Sequence, residues 1–359
     1  MGGPLTVGVV GVGKISEQYF AQFPKLPGLR LLAVTDLNEA RAAWVAAEQG
    51  VEALSVDALL TDPRIDAVLN LTIPAAHVDI SMRALAAGKH VYGEKPLALA
   101  PADAAPMLEL ARSRGLRVGS APDTVLGTGI QTARQLLDAG SVGEPVAAAA
   151  HWTSPGHELW HPDPQFYYQP GGGPLFDMGP YYLTSLVTLL GPVARVSGTT
   201  SRSGRARAVA TGPLAGAPIS VDVDTHISAI LEHANGVSST VTMSFDVWAS
   251  RIPRFELYGT RGTIAVPDPN RFSDPVEVYT VKERSWREVA VSAGYPDAGR
   301  GCGLADMAHA IQTGRPHRAS GELAFHVLEI MDAIIRAGHE HRVVDLTSTA
   351  ERPALVPHS

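Results

Sequence analysis

The 359-residue chain is 45% hydrophobic and 18% charged, which indicates a globular protein and rules out a disordered one; its length suggests two domains. A net charge of −7 with no basic block argues against a nucleic-acid or anionic-membrane surface. The single cysteine, Cys302, excludes an intrachain disulfide and a cysteine-based zinc site, and no apolar run approaches the roughly 20 residues of a membrane span.

The first third alternates strands with helices. Leu5–Val10 reads as a buried strand, 15–23 as a helix, Leu29–Thr35 as a strand and Glu39–Gln49 as a helix closed by Gly50. A strand at 67–71 follows, then a helix at 76–87 closed by Gly88, and a short strand at 90–92. The pattern ends with a helix at 101–114 closed by Gly115 and a strand at 117–120. Such alternation implies right-handed βαβ units and a parallel sheet covered on both faces. Residues 1–122 are therefore expected to form one doubly wound domain of the Rossmann type, and the fold class is α/β.

After residue 122 the rhythm changes. Helices are expected at 129–139 and 177–190, with a strand at 146–153 between them. The stretch 194–291 is strand-rich, with hairpin turns at Asn235-Gly236 and at Gly259-Thr260-Arg261-Gly262. Residues 202–218, rich in Gly, Ala, Pro and Arg, read as a flexible surface loop, and helices return at 304–313 and 321–337. Residues 123–345 are the expected second, α+β domain, its C-terminal helices packing back on the first.

Gly11-Val12-Gly13-Lys14-Ile15-Ser16 lies between the first strand and the first helix. Gly11 permits a tight turn, Gly13 allows a diphosphate to approach the backbone, and the amides of Lys14 and Ile15 open the helix. Asp36 ends the second strand, where a carboxylate accepts hydrogen bonds from a ribose and repels a 2′-phosphate. NAD is thus favoured over NADP, with Arg41, one turn further on, the residue that opposes this.

Two further segments, Thr72-Ile73-Pro74-Ala75-Ala76-His77 and Glu94-Lys95-Pro96, each follow a strand. With the glycine loop and Gly171-Gly172-Gly173-Pro174-Leu175-Phe176-Asp177-Met178-Gly179, they resemble the glucose–fructose oxidoreductase, inositol dehydrogenase and MocA family. The resemblance implies that Thr72, Pro74, His77, Glu94 and Lys95 line the cofactor. It also implies a second domain with a large, mostly antiparallel sheet, one face of which builds homodimers or homotetramers.

Hydride transfer at a secondary alcohol needs a group to move the hydroxyl proton and a positive charge near the developing alkoxide. Lys95, at the carboxyl edge of the sheet, fits the second need. Asp177 and Tyr181 are four apart on one helix face, and Asp177 is also expected to cap that helix. Tyr181 stands where many family members carry histidine. A neighbouring lysine cation would lower the phenol from its usual value of about 10, and the helical register favours it over Tyr182. His157, Trp160 and His161, in a loop rich in rings and donors, suit a polyhydroxy substrate. The spacings of His151, His157 and His161 match no strong zinc motif, and no metal is expected.

The expected function is an NAD(P)-dependent dehydrogenase or reductase of a sugar, cyclitol or related polyhydroxy compound, with no nucleic-acid or membrane partner. Two alternatives are an NAD-dependent glycoside hydrolase or lyase working by transient oxidation, and a catalytically silent dinucleotide sensor. The N-terminus lacks a basic region followed by a long apolar one, so the expected location is the cytoplasm.

Overall fold

The computed structural model describes residues 3–358. The chain forms two compact units, one of residues 1–127 with 297–328, the other of residues 128–296 with 329–359. The first unit therefore ends its N-terminal stretch at Gly127 rather than at 122, and takes in a second stretch from near the C-terminus.

In the first unit, β1 (Leu5–Val10), β2 (Leu29–Thr35), β3 (Glu52–Ala53), β4 (Ala67–Asn70), β5 (His90–Gly93) and β6 (Val118–Ser120) form one parallel sheet in the order 3-2-1-4-5-6. The strand order reverses between β1 and β4, the point at which such sheets open a crevice at the carboxyl ends of their strands. Every residue of β1 is buried, as a strand covered on both faces requires. The helices are α1 (Ser16–Phe20), α2 (Glu39–Gln49), α3 (Val56–Thr61), α4 (His77–Ala86) and α5 (Pro101–Ser113).

Two details depart from the sequence reading. Helix α1 stops at Phe20, and a 3-10 turn at Phe23–Lys25 takes over, because Pro24 disfavours helical geometry in the residue before it. The edge strand β3 and helix α3 were not anticipated; two residues are too few to display an alternating pattern. From the second stretch, the helix Cys302–Thr313 joins this unit. Its start offers the amides of Gly301 and Gly303 to the fully buried Asp123 carboxylate, at 2.8 and 3.2 Å.

The second unit holds α6 (Thr128–Asp138), β7 (Pro145–Thr153), α7 (Gly173–Leu190), β8 (Val193–Ser201), β9 (His226–His233) and β10 (Ser238–Ser244). It continues with β11 (Phe255–Gly259), β12 (Gly262–Ala265), β13 (Val276–Thr280), β14 (Trp286–Val289) and β15 (Val344–Asp345). These strands make one nine-stranded sheet in the order 14-13-12-11-7-10-9-8-15, antiparallel except where β7 meets β10. Helix α7 lies across β7, β9 and β10. Both expected hairpin turns are present: Gly236 adopts φ +87° between β9 and β10, and Gly259 pairs with Gly262 across Thr260-Arg261.

Residues 202–218 are not a loose loop. Val209 and Ala217 hydrogen-bond across a small hairpin, and Val209 and Ile219 bury against Tyr168 and Phe245. Arg207, within this segment, is buried between two carboxylates, Glu158 at 2.7 Å and Asp246 at 2.5 Å.

Candidate active site

The residues expected to hold a cofactor lie in the first unit. Gly11 adopts φ +94°, and a Cβ there would stand 2.7 Å from the Leu71 carbonyl oxygen, so only glycine carries the chain from β1 past β4. Asp36 is tied to this turn: its Oδ2 accepts from the Val12 amide at 2.8 Å and its Oδ1 from the Asn38 amide at 2.9 Å. The Val12 carbonyl accepts from Arg41 Nε at 2.5 Å, and Arg41 Nη2 lies 3.7 Å from Glu17. Open space surrounds Gly13, and among the described residues the amides of Gly13, Lys14 and Ile15 donate to no group of the chain. Three adjacent donors beside open space fit a diphosphate. Because α1 has only five residues, those amides, rather than a helix dipole, supply the attraction.

The residues that follow β4 and β5 are brought together as braces between their loops. His77 is 3% exposed; its Nδ1 lies 2.7 Å from the Pro96 carbonyl and its Nε2 3.0 Å from that of Thr72. Burial holds the His77 pKa down, so a neutral ring donates to one carbonyl at a time while linking the two loops. Glu94 is also buried. Its carboxylate accepts from the Tyr19 hydroxyl at 2.8 Å and from the Lys95 amide at 3.1 Å. Thr72 donates to Asn70 Oδ1 at 2.7 Å, and Pro74 is exposed. Lys95 is half-buried at the carboxyl end of β5.

Sequence reasoning missed Asn70 and Tyr19. Asn70 is wholly buried, and its amide donates to the His77 carbonyl and to Ser81. A polar residue ending the apolar run Ala67-Val68-Leu69 was the available signal.

The residues expected to meet substrate, Lys95 apart, lie in the second unit. The triglycine turn is sterically required: Gly173 has φ +85°, and a Cβ on Gly172 would stand 2.6 Å from the Phe166 and Tyr167 carbonyl oxygens. Helix α7 begins at Gly173 with Pro174 in its first turn, so Asp177 sits inside the helix and does not cap it. Asp177 Oδ2 lies 2.8 Å from His157 Nε2, and the Trp160 indole donates to His157 Nδ1 at 3.1 Å. Tyr181, one turn further along α7, is 5% exposed. Tyr182 is completely buried and stacks on Phe255, and burial pushes its phenol far up, which removes it from acid–base work.

The three proposed substrate ligands separate by exposure. His157 is 5% exposed, Trp160 is 55% exposed and His161 lies between, with its ring 5.3 Å from that of Trp160. Among the described residues no three His, Cys, Asp or Glu side chains gather as metal ligands, and no helix is long and apolar enough to cross a membrane.

Residues 5–121 match the oxidoreductase family with an NAD-binding Rossmann fold, and residues 130–265 match the GFO/IDH/MocA C-terminal domain. A dTDP-3,4-didehydro-2,6-dideoxy-α-D-glucose 3-reductase of Streptomyces violaceoruber is 35% identical over 236 residues, 64% of this chain and 68% of the relative. Its namesake in Streptomyces antibioticus is 31% identical over 286 residues, 77% and 80% of the two chains. An inositol 2-dehydrogenase of Pseudomonas fluorescens is 32% identical over 147 residues, 40% and 44%. Among solved structures, apo levoglucosan dehydrogenase superposes with a TM-score of 0.83 at 22% identity, covering 97% of this chain and all of that one. At that identity the likeness speaks for the fold alone.

Proposed function

Because the chain belongs to the glucose–fructose oxidoreductase, inositol dehydrogenase and MocA family of oxidoreductases, we propose that it moves a hydride between NAD and a secondary alcohol or ketone of a sugar, cyclitol or related polyhydroxy compound. The observation that carries the reading is the cradle at the carboxyl ends of β1 and β2: Gly11 in its left-handed turn, the undonated amides of residues 13–15, and Asp36 beside them. Gly11, Gly13, Lys14, Ile15 and Asp36 would hold the dinucleotide, with Thr72, Pro74, His77, Glu94 and Lys95 shaping the crevice beyond.

NAD is preferred over NADP. The Asp36 carboxylate repels a 2′-phosphate, and Arg41, the cation that would attract one, is already bonded to the Val12 carbonyl and near Glu17. When bound, the nicotinamide supplies or accepts the hydride. The Lys95 ammonium donates a hydrogen bond to the reacting oxygen and stabilises negative charge there. Tyr181 moves the hydroxyl proton through its phenol oxygen, and Asp177 orients the substrate by accepting from its hydroxyls. Trp160 offers an exposed ring face, and His161 a polar neighbour, to a sugar. The names of the relatives, two reductases of a dTDP-bound sugar and an inositol dehydrogenase, support a polyhydroxylated ring as substrate.

Calorimetric titration with NAD, NADH and NADP, followed by NADH absorbance across inositols, aldoses, ketosugars and dTDP-sugars, tests the proposal. NAD and NADH are expected to bind more tightly than NADP. Lys95→Ala is expected to keep NADH affinity while turnover falls by about 100-fold or more. Unchanged turnover in that variant ends the role given to Lys95; a protein that binds neither form of NAD ends the whole reading.

A further inference from the structure

The contacts around His157 have a direction. An indole N–H can only donate, so the Trp160 bond at 3.1 Å makes His157 Nδ1 an acceptor and places the ring proton on Nε2, which donates to Asp177 Oδ2 at 2.8 Å. An imidazolium would present a second N–H at Nδ1, where another donor already points. The ring is 5% exposed and boxed by Trp152, Trp160, Tyr167 and Phe245, with centroids 4.4–5.8 Å away.

The backbone of His157 is held as firmly. Its amide donates to the Tyr168 hydroxyl at 3.1 Å, that hydroxyl donates to Glu158, and Glu158 is gripped by Arg205 and Arg207. The ring thus meets the charge of Asp177 from α7, while Glu158 and the two arginines from residues 202–218 are tied to the backbone of its turn. The Asp177 side chain is the more exposed of the pair, 16% against 7% for His157.

We propose that His157 is a positioning residue: with its Nδ1 engaged by the Trp160 indole and its Nε2–H aimed at Asp177, it fixes the rotation of the Asp177 carboxylate and does not touch substrate. The proposal rests on the reading that Asp177 meets the substrate. It revises the sequence expectation that His157 is a substrate ligand, and it gives Asp177 a histidine partner from a distant turn, where the sequence offers only Tyr181 one helical turn away.

Long-range proton–nitrogen NMR spectra of the full-length protein labelled with 15N-histidine test the geometry without a substrate. With His157 assigned from the loss of its signals in H157Q, the wild-type ring is expected to carry its proton on Nε2 and to leave Nδ1 bare. In W160F, which removes the indole N–H, the Nδ1 resonance is expected to move toward that of an imidazole nitrogen accepting no hydrogen bond. A wild-type ring protonated at Nδ1, or a W160F Nδ1 resonance unmoved from the wild-type position, overturns the proposal.

Turnover is then measured with the most rapidly oxidised polyol of the panel above. H157L is expected to lower kcat/KM about 100-fold through misplacement of Asp177, with NADH affinity unchanged. H157Q, whose amide N–H can reach the same carboxylate, is expected to restore most of that loss. Equal loss in both variants overturns the positioning role. Undiminished turnover in D177N sinks instead the reading beneath it, and the NMR result distinguishes the two failures.

Discussion

Gly11 concentrates the constraints on the cofactor loop. Its φ of +94° is strained for any residue with a Cβ, and the Leu71 carbonyl occupies the space a methyl would need. Gly11→Ala is expected to cost about 2 kcal/mol from backbone strain and forced displacement of the loop, and to abolish NADH binding, since the amides of residues 13–15 lose their alignment. Thermal melting and an NADH titration of the same variant check both effects; a variant that melts and binds as the wild type would contradict the assignment. Gly11 and Asp36 are legible in sequence because the turn and the acid lie on one local strand–loop–helix–strand unit. Tyr19 and Asn70 are not, because their value comes from partners 75 and 7 residues away that only the fold brings near. His77 and Glu94 were found by resemblance, but their bracing roles appear only with their partners in place.

The segment 202–222 matters more as an element than its composition suggests. It is zipped to the turns that carry His157: Ala210 donates to the Glu158 carbonyl, Ser220 bonds with Gln165, and Asp222 donates to the Tyr168 carbonyl. Its central ion pair is buried, with side chains 1% and 3% exposed for Arg207 and Glu158. Removing one member of such a pair leaves a charge without compensation, so R207M is expected to destabilise the protein by about 3 kcal/mol. The double variant R207M/E158Q is expected to recover much of that, and a denaturant-unfolding cycle measures the coupling; additive losses would show that the pair is not the link. Burial pushes the Glu158 carboxyl up, but the Tyr168 hydroxyl and the two arginines overcome this and leave it below its usual value. A depressed folded-state value gives stability that is present above the unfolded pKa of about 4.3 and lost as pH falls through the folded one. Acid unfolding of the wild type is therefore expected to steepen below about pH 4, and R207M to lose part of that slope.

At the scale of the whole chain, the first unit is discontinuous. Asp123, completely buried, relies on the amides of Gly301 and Gly303, and Gly119 of β6 bridges to Ser320. Burial pushes the Asp123 carboxyl up, a sign of how much its environment disfavours charge. A fragment of residues 1–127 strips those partners away. It is expected to melt without cooperativity and bind NADH poorly, while joining residues 297–328 through a flexible linker restores both. Equal circular-dichroism melts of the two fragments would refute this. The parallel first sheet, the glycine turn and the mostly antiparallel second sheet were readable from the chain, because strand and helix periodicity and turn chemistry are properties of neighbouring residues. Which carboxylate Arg207 finds, which histidine reaches Asp177, that Tyr182 is sealed away, and where the first unit closes were decided by tertiary structure alone. Burial and ion pairing depend on groups distant in sequence, and no local pattern encodes which of them will meet.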